Sequence, residues 1–301
     1  MKVKNYIQKL QLWPYDKLVV SFFKTHNKSV QEQIVSWWFY IKKMFFPPLK
    51  ITFLGTGTSS GVPMIACSCK VCTSINPKDN RLRSSIMVQS ETTTIIVDTT
   101  PDFRFQMLRE KLKNIDAVIF THPHKDHVAG LDDVKAFNYF NKKAIDVYAN
   151  ELTQKTIKNE FYYIFTAHKY PGVADINLHL INENSFVVGD IPVSPIKVWH
   201  LNMPVLGFRF GDFTYITDAN KIEEEEMDKI KGSQILVLNA LRHKAHISHF
   251  TLQEAIDIAS LLKIPQTYFT HISHQLGLHD EISKELPANC SLAYDGLKIE
   301  L

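Results

Sequence analysis

One histidine-rich stretch, residues 121–127 with the sequence THPHKDH, constrains this chain more than any other feature. It follows the apolar run 115–120, which is typical of a buried strand. Imidazole and carboxylate are ligands that zinc, manganese and iron accept, and four of them exceed what one catalytic metal with an open position uses. The pattern favours two adjacent metals over an ordinary polar loop. The four ligands are His122, His124, Asp126 and His127.

Three further segments rich in strand-forming residues, 191–199, 213–217 and 266–270, each precede a side chain that can bind a metal. Ligands placed at strand ends are held in position by a rigid sheet. Taken singly, such an aspartate is often a turn residue and such a histidine a surface group. Beside the histidine-rich loop, they are predicted to complete the same site. They are His200, Asp218 and His271.

Together these residues resemble the ligand series of the metallo-β-lactamase superfamily, and most closely that of the PhnP-type phosphodiesterases and their ribonuclease Z relatives. The resemblance spans residues 50–301. It implies an α/β fold, the αββα sandwich of two mixed β-sheets flanked by helices, with the metals at one edge.

The resemblance also implies how seven ligands are shared between two divalent metals, zinc or manganese. His122, His124 and His200 would hold the first, Asp126, His127 and His271 the second, and Asp218 would bridge them. Drug-hydrolysing members usually place a cysteine in the second site. No cysteine of this chain lies near the three later ligands, so antibiotic hydrolysis is disfavoured.

The cysteines indicate a separate site. Three of the four lie in Cys67-Ser-Cys69-Lys-Val-Cys72, which suits a reducing cytoplasm and metal binding better than a disulfide framework. A tetrahedral zinc needs a fourth ligand, for which His274 is the candidate. The resemblance implies a structural zinc held by these four residues; an iron–sulfur site and unpaired buried thiols are the alternatives. Cys290 is interpreted as ordinary packing.

His249 precedes a stretch with the apolar period of a helix, capped by Ser248 or Thr251. A departing alkoxide needs a proton, which histidine can supply near neutral pH. The resemblance identifies His249 as that acid, within a catalytic set that includes Asp126. His246 is the second candidate, and a structural or substrate-orienting role for His249 is the alternative.

Two further features belong around the site. The glycine-rich segment 55–61 follows the strand 50–54 but lacks the Gly-Lys-Ser/Thr ending of a phosphate loop. It is predicted to be a turn that brings backbone close to the metals. Asp98 ends the strand 94–97, and the resemblance implies that it orients the metal loop by hydrogen bonds.

The first 48 residues form a basic, aromatic extension ahead of a hydrolase domain at 49–301. Residues 1–50 carry nine lysines against one aspartate and one glutamate, about +7, so the remainder is near −4 of the total of +3. Trp13, Trp37 and Trp38 also lie there. Three interpretations stay open: a helix docked on the body or on a homodimer partner, an anchor at a membrane surface, and a start that truly lies at Met44.

The composition, 45% hydrophobic and 22% charged, is that of an ordinary globular protein. We expect a cytoplasmic metal-dependent hydrolase that cleaves a cyclic or small phosphodiester, or a nucleotide, through a metal-bridging hydroxide. A thioester hydrolase of the glyoxalase II type and a ribonuclease Z-like nuclease are alternatives. A non-catalytic RNA-binding or metal-sensing protein is a third. A nucleic-acid partner is not indicated, since no tRNA-clamping arm is evident and the body is not basic.

Overall fold

Two mixed β-sheets occupy the centre of residues 47–168 and 170–301, which the computed structural model describes. The first sheet has the order β15-β1-β2-β3-β4-β5-β6, with antiparallel pairs from β15 to β3 and parallel pairs from β3 to β6. Its strands are β1 (Lys50–Gly55), β2 (Ser85–Gln89), β3 (Thr94–Val97), β4 (Ala117–Ile119), β5 (Ile145–Ala149), β6 (Ile176–Leu180) and β15 (Lys298–Glu300).

The second sheet has the order β11-β8-β9-β10-β12-β13-β14, and a further strand, β7 (Phe186–Val188), pairs with β8. Its pairs are antiparallel from β11 to β10 and parallel from β10 to β14. The strands are β8 (Ile191–His200), β9 (Met203–Phe210), β10 (Phe213–Tyr215), β11 (Lys221–Ile222), β12 (Ile235–Asn239), β13 (Gln266–Thr270) and β14 (Cys290–Leu292).

Helices cover the outer face of each sheet. On the first sheet, α1, α3 and α4 contribute buried side chains to one hydrophobic cluster; on the second, α5, α6 and α7 contribute to another. The α-helices are α1 (Phe103–Arg109), α2 (Lys125–Val128), α3 (Lys135–Asn141), α4 (Glu151–Glu160), α5 (Glu224–Ile230), α6 (Leu252–Leu261) and α7 (His279–Ile282), and the 3-10 helices are Pro77–Asp79, Leu131–Val134 and Tyr162–Ile164.

Strand β12 shows why the layers form. Successive side chains of a strand point to opposite faces, so an apolar run in a sheet covered on both sides serves two cores. Ile235 and Val237 enter the cluster between the sheets, whereas Leu236 and Leu238 enter the cluster under the helices. All four are buried. The αββα sandwich predicted from the sequence is therefore confirmed.

Residues Leu49–Leu301 form a compact unit. The predicted extension lies outside the described residues up to position 46, including its three tryptophans and Met44, and its interpretations stay predictions. Among the described helices, none combines the length and apolar character that crossing a membrane requires.

Candidate metal centre

The polar residues predicted at strand ends meet at one edge of the sandwich. Asp98 and His271 directly follow β3 and β13, His200 ends β8, and Asp218 lies three residues beyond β10. Asp98, Asp218 and His271 have left-handed backbones, with φ of +66°, +55° and +55°. Such angles are uncommon outside glycine and cluster at functional sites. Asp98 and His271 turn the chain directly after a strand, and Asp218 turns it three residues after one.

Asp98 fixes the histidine-rich loop from within the protein. Its Oδ1 accepts the backbone N–H of Thr121 at 2.8 Å, and its Oδ2 accepts both the Thr121 hydroxyl and His127 Nδ1–H at 2.8 Å. Because the hydroxyl of Thr121 donates to Asp98, it accepts from His122 Nδ1, 2.9 Å away. Both histidines therefore carry a proton on Nδ1, so Nε2 is the nitrogen that each would present to a metal.

Those two nitrogen atoms test whether the residues fit a metal. His122 and His127 are fully buried, and neither Nε2 has a hydrogen-bond partner within the described part of the chain. His127 Nε2 lies 3.3 Å from a carboxylate oxygen of Asp126 and 3.3 Å from one of Asp218. Buried polar atoms are normally satisfied. Imidazole Nε2 atoms facing carboxylates in a buried space are the donor set that a divalent cation needs, so the residues fit.

Asp218 lies at the centre of the arrangement. Three sets of potential ligand atoms, each within 4.8 Å of one another, include its carboxylate: one with His122 and His127, one with Asp126 and His271, and one with the pair described next. His271 Nδ1 is 3.2 Å from Asp218 Oδ2. A carboxylate shared in this way is suited to contact two cations at once.

His200 and His249 complete the third set with Asp218. His200 Nδ1–H donates to the carbonyl of Ser248 at 2.9 Å, which leaves its Nε2 available. His124 is more exposed, but its ring centroid lies 4.7 Å from that of His122 and 5.1 Å from that of His200. All seven predicted ligands are thus brought together.

The electrostatics of the centre call for positive charge. Burial alone raises the pKa of Asp218, but His271 and His127 outweigh it and hold the pKa well below its usual range. Burial alone lowers the pKa of His127, but Asp126, Asp218 and Asp98 outweigh it and hold the pKa well above its usual range. Several carboxylates therefore surround one imidazole, an arrangement that cations would stabilise.

His249 lies beside this centre, with a buried Nδ1 that has no partner among the described residues and is 4.0 Å from Asp218 Oδ1. Helix α6 begins just after it. Thr251 is the N-cap and forms a capping box with Glu254, so of the two predicted caps, Thr251 is the correct one. Burial, and then His271, lower the pKa of His249 to about 3. The imidazole is therefore neutral in the free protein.

The three clustered cysteines meet His274. The sulfurs of Cys67 and Cys69 each lie 3.3 Å from His274 Nδ1, and with Cys72 the four potential ligand atoms lie within 4.8 Å of one another. All three cysteines are free thiols. A backbone N–H of Cys72 and the ring of His274 lower the pKa of the Cys69 thiol to about 6, whereas burial and the neighbouring sulfurs raise that of Cys72 to about 11. Three thiols and an imidazole so close together are the donor set of a tetrahedral zinc, whose binding would remove the thiol protons.

The glycine-rich turn after β1 lies against the strand end that carries His271. Gly57 bridges to both Arg83 and Ile272, and a Cβ on it would come within 2.8 Å of a backbone oxygen. Thr58 Oγ1 lies 3.2 Å from His271 Nε2. The segment is therefore a close-approach turn, as predicted. Thr58, Thr121 and Ser248 make contacts with site histidines that the sequence did not identify. Only Thr121 and Ser248 could have been noticed in the sequence, because each directly precedes a predicted site residue.

Comparison with known proteins agrees with this geometry. Residues 93–272 match the beta-lactamase superfamily domain. The chain belongs to this family. Its members share the metal-dependent hydrolase fold that the two sheets and the converging histidines display. The family predicted from the ligand series is confirmed.

One similar crystal structure is that of a new diphosphatase from the PhnP family, whose sequence is 43% identical to this chain. The two structures superpose with a TM-score of 0.79, over 84% of this chain and 97% of the diphosphatase. Zn(2+)-bound PqqB from Methylobacterium extorquens shows 19% identity, with a TM-score of 0.68 over 84% of this chain and 100% of the other. The second likeness concerns the fold alone.

Among curated proteins, an octanoyltransferase of Porphyromonas gingivalis is 36% identical over 253 residues. The match covers 83% of this superfamily chain but 51% of the relative. The chain therefore spans about half the length of that relative.

Proposed function

We propose that the protein is a two-metal phosphodiesterase that cleaves cyclic or other small phosphodiesters. The convergence of His122, Asp126, His127, His200 and His271 on Asp218, with the ring of His124 beside them, carries this proposal, because one metal with an open position cannot use so many ligands. The 43% identity to a PhnP-family diphosphatase supports phosphoryl over acyl chemistry. Two cations at this site would neutralise phosphoryl oxygens and lower the pKa of a water molecule.

We assign His122, His124 and His200, whose ring centroids lie within 5.9 Å of one another, to the first metal. Asp126, His127 and His271 are assigned to the second, and Asp218 would bridge the two. Nitrogen and carboxylate donors suit zinc or manganese. The unpartnered Nε2 atoms of His122 and His127 support the assignment of these two residues to the ligand set.

We assign proton transfer to His249. Its Nδ1 faces the centre without a partner among the described residues, and the loop that carries it also holds His200 through the Ser248 carbonyl. Since its pKa in the free protein is about 3, the ring takes up a proton from solvent when the phosphate anion binds beside it. It then donates that proton to the departing oxygen. Asp126 serves this reaction as a ligand.

The second cluster is assigned to a structural zinc. Cys67, Cys69 and Cys72 lie in one loop after β1, whereas His274 follows β13. A metal between them would tie that loop to the segment that carries His271, three residues earlier. Free thiols at such spacing support a reducing compartment, and we propose the cytoplasm.

Charge favours small substrates over long nucleic acids. Lysine and arginine contacts to phosphates supply most of the affinity of nucleic-acid binding. Residues 51–301 carry a net charge of about −4, so a basic track for a polynucleotide is not supported. A cyclic nucleotide, a ribose cyclic phosphate or another small diester fits better.

Thioester hydrolysis is the second candidate, because the relative with 36% identity is named an octanoyltransferase. The chain spans only about half of that relative, and the remaining half is long enough to form a domain of its own. The relative's name therefore supports this candidate less strongly than the diphosphatase supports the first.

The deciding experiment is a substrate panel on the metal-loaded protein: bis(p-nitrophenyl) phosphate, cyclic nucleotides, a precursor tRNA and an octanoyl thioester. We expect turnover of the diesters, and its loss in Asp218→Ala. Turnover of the thioester alone would refute the proposal in favour of the second candidate. Cleavage of the precursor tRNA alone would refute it in favour of a ribonuclease Z-like activity.

A further inference from the structure

A pocket of about 240 Å³ lies at the β14 edge of the second sheet. It is bordered by β13, β14, the 3-10 helix Pro77–Asp79 and α7. None of its lining residues belongs to the metal centre or to the cysteine cluster. The pocket is therefore a separate feature of the molecule.

The side chains that line this pocket offer hydrogen-bond donors. They provide one ammonium, one imidazole, two phenols and two serine hydroxyls, and no aspartate or glutamate is among them. The donors belong to Lys78, Tyr268, His279, Ser283, Ser291 and Tyr294. A donor-rich pocket without carboxylates suits a ligand that only accepts hydrogen bonds, above all an oxyanion.

His279 is the most constrained of these donors. It is 5% exposed, and its Nδ1 lies 3.1 Å from Nη2 of Arg81. Because a guanidinium can only donate, Nδ1 accepts and the imidazole proton is on Nε2. The backbone N–H of His279 donates to Asp79 at 2.7 Å, and the ring packs edge-on against Tyr294. In the described part of the chain, no acceptor meets Nε2–H.

Positive charge lies on two sides of this imidazole. Arg81 is buried behind it and donates to Thr56 and to the carbonyl of Ala293. Lys78 Nζ lies 4.8 Å from the ring centroid of Tyr294 and makes no ion pair among the described residues. Asp295 and Asp79 offset the charge of Arg81, and the oxygens of Asp295 accept from Thr56 and from the backbone of Leu82. Among the described residues, Lys78 therefore has an aromatic partner but no carboxylate at ion-pair distance.

We propose that this pocket binds a phosphate group, free or as a monoester, independently of the metal centre. Lys78 and His279 would contact the oxygens, with Tyr294 and Ser291 as further donors. Tyr268 places the pocket on β13, whose next residues lead to His271. Three residues of a strand span about 10 Å, so the two sites are neighbours on one strand without sharing a side chain.

The test is calorimetric titration of the metal-loaded protein with inorganic phosphate and, separately, with phenyl phosphate. The variants are Lys78→Met and Tyr294→Phe, and the matched control is Lys231→Met, whose lysine is exposed and pairs with Asp228 at the end of α5. Asp218→Ala removes binding at the metal centre and isolates the pocket. Circular dichroism and melting curves establish that each variant is folded.

We expect Asp218→Ala to retain one site for at least one of the two probes. Lys78→Met introduced into that variant should weaken this site at least tenfold, Tyr294→Phe should weaken it measurably, and Lys231→Met should leave it unchanged. Binding of phosphate alone identifies a site for the free ion, and binding of both probes a site for monoesters. Loss of all binding in Asp218→Ala, or equal affinity in folded Lys78→Met, overturns the proposal.

Discussion

Replacing Asp98 with asparagine tests whether the metal loop depends on hydrogen bonds from a residue that binds no metal itself. The carboxylate is fully buried and accepts three hydrogen bonds, two from Thr121 and one from His127. An asparagine of the same shape has one accepting oxygen and one donating nitrogen. Whichever way the amide is turned, its NH₂ faces at least one buried donor.

The expected cost follows from that mismatch. If the NH₂ replaces Oδ1, it faces the backbone N–H of Thr121; if it replaces Oδ2, it faces His127 Nδ1–H and the Thr121 hydroxyl. A buried donor left unsatisfied costs about 1–3 kcal/mol. Loss of such a partner from a metal-binding histidine typically lowers metal affinity about 10- to 100-fold. We expect a loss in this range at the metal that His127 holds.

The assay is competition for zinc between the protein and a chromophoric chelator. Asp116→Asn is the matched control, because Asp116 accepts the backbone N–H of Thr94 at the other end of the same strands, away from the metal loop. Metal affinity should fall in Asp98→Asn and stay constant in Asp116→Asn. Equal affinity in both, with a lower melting temperature in Asp98→Asn alone, would refute the orienting role and leave Asp98 a purely structural residue.

Elemental analysis of the purified protein should approach three metals per chain, two exchangeable and one tightly held; one or none after reconstitution with zinc or manganese would contradict the two-metal site. Asp218→Ala should abolish diesterase activity with the fold largely intact, because it removes the shared ligand. Cys69→Ser should lower the melting temperature well below that of the control Cys290→Ser, since zinc binding is coupled to folding; a loss of catalytic metal with unchanged melting would contradict our division of ligands. His249→Ala should slow diesters with poor leaving groups about 10²–10⁴-fold and p-nitrophenyl esters much less; equal losses on both would indicate an orienting role.

The ligand-bearing strands could be predicted because their apolar runs end abruptly at a polar side chain. The runs before Asp98 and His271 correspond to β3 and β13 residue for residue, and that before His200 to β8. The run before Asp218, residues 213–217, extends two residues beyond its strand, β10. Ladder pairing ends at Tyr215, after which the chain turns towards a left-handed Asp218.

The contacts that orient the ligands could not be predicted, since they depend on how distant segments meet. Ser248 lies 48 positions from the His200 that it orients, and Thr58 lies 213 positions from His271. No local pattern encodes such pairings. The link between the cysteine loop and His274 was available only through family resemblance. The left-handed angles carry only a weak local signal, because aspartate and histidine adopt them much less readily than glycine does.

The bridge from Gly57 to Ile272 has a consequence for biosynthesis. It joins the turn after β1 to the segment that carries His271 and His274. Each metal centre therefore combines ligands from an early part of the chain with one from this late segment. A nascent polypeptide that has emerged only as far as α6 already presents three thiols and the ligands assigned to the first metal, but it lacks His271 of the second metal and His274 of the cysteine site. The ligand sets of those two sites are therefore completed only after residues 271–274 have left the ribosome.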